Sequence, residues 1–152
     1  MFTKFTRPEG KGSLLLNSDH VVIIFEAQQQ TEEQQTVVRT TAGGENINFV
    51  VAKPIEEVVS QLSACGAAFI HVNRSGDGRT LFINVDQIVG VYERGGLATI
   101  RTTASGTHAE YSVIESIDTI EEMLVKEDAT QPSSAVLPVK ARFRKPKVAS
   151  GS

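Results

Sequence analysis

Two stretches of the chain set a guanidinium beside two hydroxyls, Arg39–Thr40–Thr41 and Arg101–Thr102–Thr103, each followed by alanine and then a glycine within three residues. An arginine carries five N–H donors in a rigid fork that matches a carboxylate or phosphate, and threonine adds a hydroxyl that both donates and accepts. Two such sets on equivalent strands could hold a small anionic ligand or a nucleotide between them. The competing expectation is structural: each arginine pairs across the sheet with an acid on the neighbouring strand, Arg39 with Glu26 and Arg101 with Glu93.

The other reactive side chains form no pattern of this kind. His20, His71 and His108 are isolated and none has a second ligand at i+4, so no metal is expected. Cys65 is the only cysteine, which excludes a disulfide framework and a cysteine-based zinc site. In its setting, Ser–Ala–Cys–Gly–Ala–Ala, a small packing residue at a helix C-terminus is expected rather than a nucleophile with a base. The segment 73–79, Asn–Arg–Ser–Gly–Asp–Gly–Arg, has the composition of a β-turn and lacks the downstream glutamate of an EF-hand calcium loop. Glycine-rich nucleotide loops are missing from the sequence. Without a catalytic constellation or a cofactor motif, the chain is expected not to be an enzyme.

The elements that must position the arginines occur twice. Residues 14–26 match residues 81–93 at five of thirteen positions, and residues 36–62 match residues 98–124 at eight of twenty-seven. The two copies differ in length between these blocks, where residues 27–35 of the first stand against only 94–97 of the second. A length change at one point with both flanks in register fits a hairpin loop. Short runs rich in β-branched and aromatic residues predict strands at 2–6, 13–17, 20–26, 36–41 and 48–52, then at 69–72, 80–84, 87–92, 98–103 and 110–114. Asn17–x–Asp19 and Asn84–x–Asp86 lie between strands, where their side chains can bond the turn backbone. Each copy then changes period. Ile55, Val58 and Leu62 form one helical stripe, and Ile117, Ile120 and Leu124 another. The expected fold is therefore mainly β (α+β): two tandem repeats, each of about five short antiparallel strands, as a meander or small barrel, plus a C-terminal helix. The expected boundaries are 1–65 and 66–127, followed by a linker and arm, 128–152.

Charge is divided along the chain. Of 15 basic and 18 acidic side chains, residues 1–128 hold 10 and all 18, and residues 129–152 hold Lys140, Arg142, Arg144, Lys145 and Lys147 with no acid. Within this tail Val136, Leu137, Val139 and Phe143 alternate with Lys140, Arg142 and Arg144, too apolar for a free tail. An extended arm that adds to a neighbouring subunit is expected, giving a homo-oligomer. Nucleic acid is the less favoured partner for the arm, because the body is acidic and aromatic–basic interleaving is confined to Arg142–Phe143–Arg144. Neither a membrane-spanning run nor a signal-peptide pattern is apparent, so a cytoplasmic location is expected.

The second copy resembles the small flagellar and swarming-motility family of the FlbD type. The likeness is carried by Ile83, Asn84, Asp86 and Ile88 around the turn, by Thr99 and Ile100 on a strand, and by Val113, Glu115, Ser116 and Ile120 entering the helix. The first copy keeps the Asn–x–Asp but has Lys53–Pro54 in place of Glu–Ser. The resemblance implies a small non-enzymatic β-rich module, here duplicated and extended by a tail. The leading expectation is thus a protein-interaction or assembly module that self-associates through its arm. The alternatives are a binder of small anionic ligands or nucleotides through the Arg–Thr–Thr strands, and nucleic-acid binding through the basic tail.

Overall fold

The structure, a computed structural model, describes residues 1–28, 34–42, 47–106 and 109–130. His108, most of the loop 27–35, and the arm with Val136, Leu137, Val139, Lys140, Arg142, Phe143 and Arg144 lie outside them.

Among the described residues ten short strands form in chain order: β1 (Phe2–Thr6), β2 (Ser13–Asn17), β3 (Val21–Glu26), β4 (Thr36–Thr40), β5 (Asn48–Val51), β6 (Phe69–Asn73), β7 (Thr80–Asn84), β8 (Ile88–Arg94), β9 (Leu97–Thr102) and β10 (Glu110–Val113). Helix α1 (Ile55–Ala64) follows β5, and α2 (Ile117–Thr130) follows β10. The described part is mainly β, with antiparallel sheets and two α-helices. None of the described helices is long and apolar enough to cross a membrane. A first compact unit spans Met1–Ile117, and α2 from Asp118 onward belongs to a second.

Local chemistry accounts for the element ends. The Asn17 side-chain oxygen accepts from the Asp19 N–H at 3.0 Å, and Asn84 does the same for Asp86 at 3.1 Å. Each fixes one turn of 3-10 helix that leads directly into the next strand. Pro54 stands just before α1, where its missing N–H costs nothing. At the other end Gly66 takes φ +103°, and the N–H groups of Gly66 and Ala67 close on the carbonyls of Ser63 and Leu62.

Within the first unit the strands form three sheets. One holds β1–β2, a second β10–β9–β8, and a third β5–β4–β3–β7–β6. The expected five-strand meander is broken at the same place in each half. Strand β2 is not hydrogen-bonded to β3; β7 lies beside β3 instead, through Ile23↔Ile83 and Ile24↔Phe82. The 3-10 turn before β3 lets the chain leave one sheet and enter another.

The pairing registers recur with constant shifts in residue number. The β1/β2 register runs from Phe2↔Asn17 to Thr6↔Ser13, and the β6/β7 register from Phe69↔Asn84 to Asn73↔Thr80, each partner 67 higher. A bulge separates Val21↔Thr40 from Ile23↔Arg39 in β3/β4, and another separates Ile88↔Thr102 from Gly90↔Arg101 in β8/β9. The β4/β5 pairs Thr36↔Val51 and Arg39↔Asn48 recur in β9/β10 as Ala98↔Val113 and Arg101↔Glu110, each partner 62 higher. Bonds outside the ladders follow the same shifts. The Arg7 N–H donates to the Gly12 carbonyl and Arg74 to Arg79, and Thr41 donates to His20 and Thr103 to Gln87.

Helix α1 is held by its apolar stripe. Ile55, Val58 and Leu62 are buried against Phe5 and Leu16 of the first hairpin and Val21, Ile24, Val38 and Val51 of the five-stranded sheet. In α2 the corresponding stripe is less uniform: Ile120 is buried, while Ile117 and Leu124 are half-buried.

A candidate anion-binding cleft

Strand alternation decides what the five-stranded sheet shows on its second face. Val38 of β4 points into the core, so its neighbours Val37 and Arg39 point the other way. Register then sets Phe25 of β3 opposite Val37, Val37 opposite Val50 of β5, and Arg39 opposite Asn48. These side chains, with Leu81 of β7, line a cleft of about 390 Å³. Tyr111 of β10 and the two arginines of the β6–β7 connection, Arg74 and Arg79, also line it.

Arg39 is fixed on several sides. Its Nε donates to the Asn48 side-chain oxygen at 2.9 Å, and one Nη donates to the Tyr111 hydroxyl at 2.7 Å. Its guanidinium also stands 5.0 Å from the Phe25 ring centre and 5.9 Å from that of Tyr111. Burial pushes the Tyr111 phenol up from its ordinary value, against the pull of the Arg39 hydrogen bond. Tyr111 therefore stays protonated at neutral pH and adds no negative charge to the cleft.

The connection that carries Arg74 and Arg79 is a turn of the expected kind, stiffened by side chains. The Arg74 N–H donates to the Arg79 carbonyl at 2.8 Å, and Gly76 and Gly78 take φ of +96° and +71°. Arg74 forms a two-point ion pair with Asp77, and the Asp77 carboxylate also accepts from the Arg79 N–H at 3.0 Å. Arg74 holds the Asp77 carboxyl well below the usual carboxylate range, and the same bond pushes Arg74 up. Arg79 is left with its guanidinium 5.8 Å from the Phe25 centre. Phe25 thus meets two guanidinium groups. Among the described residues neither Arg39 nor Arg79 has a carboxylate within 4.0 Å, and the described lining of the cleft contains no acid.

The remaining residues singled out in the sequence lie elsewhere. Thr40 and Thr102 are buried, and their hydroxyls donate to the Ile47 and Ala109 carbonyls at 3.0 and 2.9 Å. Thr41 bonds Nδ1 of His20 at 2.9 Å, and Thr103 donates to the Gln87 side chain at 2.6 Å. These hydroxyls brace the ends of strands and do not reach the cleft. Arg101 donates to Glu110 at 3.1 Å. The expected acidic partners, Glu26 and Glu93, are not the ones used. They stand opposite Thr36 and Ala98, whereas Arg39 and Arg101 sit three residues further along. An odd offset puts each pair on opposite faces of the sheet, where the side chains cannot meet. His71 stacks on Phe82 with 4.7 Å between ring centres, and Cys65 ends α1. Among the described residues no group of three or more His, Cys, Asp or Glu could hold a metal.

Sequence reasoning reached Arg39 but missed Arg74, Arg79 and Tyr111. The available signal was two arginines flanking Ser–Gly–Asp–Gly, a turn that brings both to one end of a hairpin. No family model, curated protein or solved structure matches the chain.

Proposed function

We propose that the protein is a non-catalytic binding module, made of two copies of one β-rich unit, and that its ligand is a small oxyanion held in the Arg39 cleft. The observation that carries the proposal is the convergence of Arg39, Arg74 and Arg79 on one cleft whose described lining holds no acid. Three cations with one carboxylate between them, Asp77, leave an excess of positive charge in a recess floored by Leu81, where an anion is attracted more strongly than in open water. Duplication is supported by the constant shifts in pairing register and by the recurrence of the Asn-capped turns. The likeness of residues 81–127 to the FlbD type fits the same picture of a small non-enzymatic unit.

Thermal unfolding of the full chain in acetate, benzoate or inorganic phosphate, against chloride at matched ionic strength, tests the reading. A ligand at one hundred times its Kd stabilises the folded state by about 2.7 kcal/mol. At least one oxyanion is expected to raise Tm beyond the chloride control, and Arg79→Gln is expected to remove the rise. If no oxyanion moves Tm beyond chloride, the reading is wrong.

A further inference from the structure

The cleft has an internal counterpart that carries its own carboxylate. In β4/β5 the cross-strand pair is Arg39↔Asn48, and in β9/β10 the pair at the same shift is Arg101↔Glu110. The Glu110 carboxylate accepts from the Tyr92 hydroxyl at 2.5 Å, from Arg94 at 3.0 Å and from Arg101 at 3.1 Å. It is therefore an anion, supplied by the chain itself, lodged among two guanidinium groups and an aromatic side chain. On the other side, Asn48 stands where Glu110 stands and Phe25 where Tyr92 stands. Asn48 accepts the Arg39 Nε hydrogen bond at 2.9 Å but brings no charge. Arg79 reaches this side, where its counterpart at the shift of 67 is Gly12, and Arg94 on the other side matches Ala27, so each side has a second guanidinium but only one has the carboxylate.

Building on the oxyanion reading above, we infer that the Arg39 cleft takes a small organic carboxylate with an apolar body. The carboxylate faces Arg39 and Arg79 as the Glu110 carboxylate faces Arg101 and Arg94, and the apolar body lies along Phe25, Val37 and Val50. The cleft volume of about 390 Å³ falls within the range of small-molecule sites, about 300–1,000 Å³. Carboxylate is favoured over phosphate by the internal precedent, since the anion lodged at the matching place is the Glu110 carboxylate. Of the five N–H groups of Arg39, the one on Nε is taken by Asn48 and one on an Nη by Tyr111. The other three, together with the Arg79 fork, remain to face the two oxygens of the ligand.

Calorimetric titration of the full chain at pH 7 and low salt, with phenylacetate, its neutral amide, phenyl phosphate and inorganic phosphate, decides the matter. Phenylacetate is expected to bind with one site per chain, at least about tenfold more tightly than the amide, because one charge-assisted hydrogen bond is worth roughly a factor of ten or more. It is also expected to bind more tightly than either phosphate probe. Asn48→Glu supplies the missing carboxylate in cis and is expected to weaken phenylacetate at least about tenfold. Asn48 is exposed, and the matching position already carries a glutamate, so the variant is expected to unfold cooperatively. Arg79→Gln is a second variant, expected to weaken phenylacetate in the same direction without adding a charge. If a phosphate probe binds tightest, the carboxylate assignment falls and the oxyanion reading stands. If no anion binds, both fall. If Asn48→Glu leaves phenylacetate binding unchanged, the equivalence of the two sides is wrong.

Discussion

At the scale of single residues, Asn48 and Glu110 hold matching positions with opposite consequences. Glu110 is held below its ordinary pKa chiefly by the Tyr92 hydrogen bond, with Arg94 and Arg101 beside it, and the same bond pushes Tyr92 up. A carboxylate whose folded pKa is lowered contributes stability above its unfolded pKa, about 4.3, and loses that contribution as pH falls through the folded value. Glu110→Gln is therefore expected to flatten the decline in stability below about pH 4.3, relative to the parent chain, while both keep similar slopes between pH 6 and 8. Urea melts at a series of pH values measure this; equal acid slopes would show that Glu110 gains nothing from its partners. The sequence pointed to Arg39 and Arg101 because they recur in the same words. It did not show that one is paired with an acid and the other is not, because the deciding residue lies nine positions away across a hairpin in each case.

At the scale of elements, most of the architecture was legible. Alternation in Thr36–Thr40 and the helical stripe of Ile55, Val58 and Leu62 each prescribe one buried face, and the strands begin and end within about two residues of where turn chemistry sets them. Pairing between β3 and β7 was not legible. Residues 21–24 are apolar and buried at every position, so alternation carries no information about which strand lies alongside. For the same reason Arg74 and Arg79 could not be assigned to the Arg39 side, since only the β3–β7 contact brings their turn there. Leu62 tests the α1 packing. It is fully buried among Phe5, Leu16 and the sheet, so Leu62→Ala is expected to cost about 2–5 kcal/mol in urea unfolding. A cost below about 0.5 kcal/mol would mean that α1 does not close this core.

At the scale of the whole molecule, strands from both halves of the sequence share the five-stranded sheet. Strand β7 completes the sheet of β3, β4 and β5, so residues 1–65 alone would leave Ile23 and Ile24 on an open edge. A module of that size also buries only about 60% of its unfolded surface. The isolated fragment 1–65 is expected to unfold without a cooperative transition, and mixing it with 66–130 is expected to restore one. A fragment 1–65 with its own sharp melt would contradict this dependence.

In the proposed binding mode an anion enters between Arg39 and Arg79. Two-dimensional NMR of the arginine Nε–Hε groups in the full chain, during titration with phenylacetate, addresses it residue by residue. Arg39 and Arg79 are expected to shift in a saturable manner with a common Kd, together with the backbone amides of Asn48 and Gln28, while Arg94 and Arg101, already paired with Glu110, stay in place. Shifts confined to Arg94 and Arg101, or spread over all arginines without saturation, would contradict it.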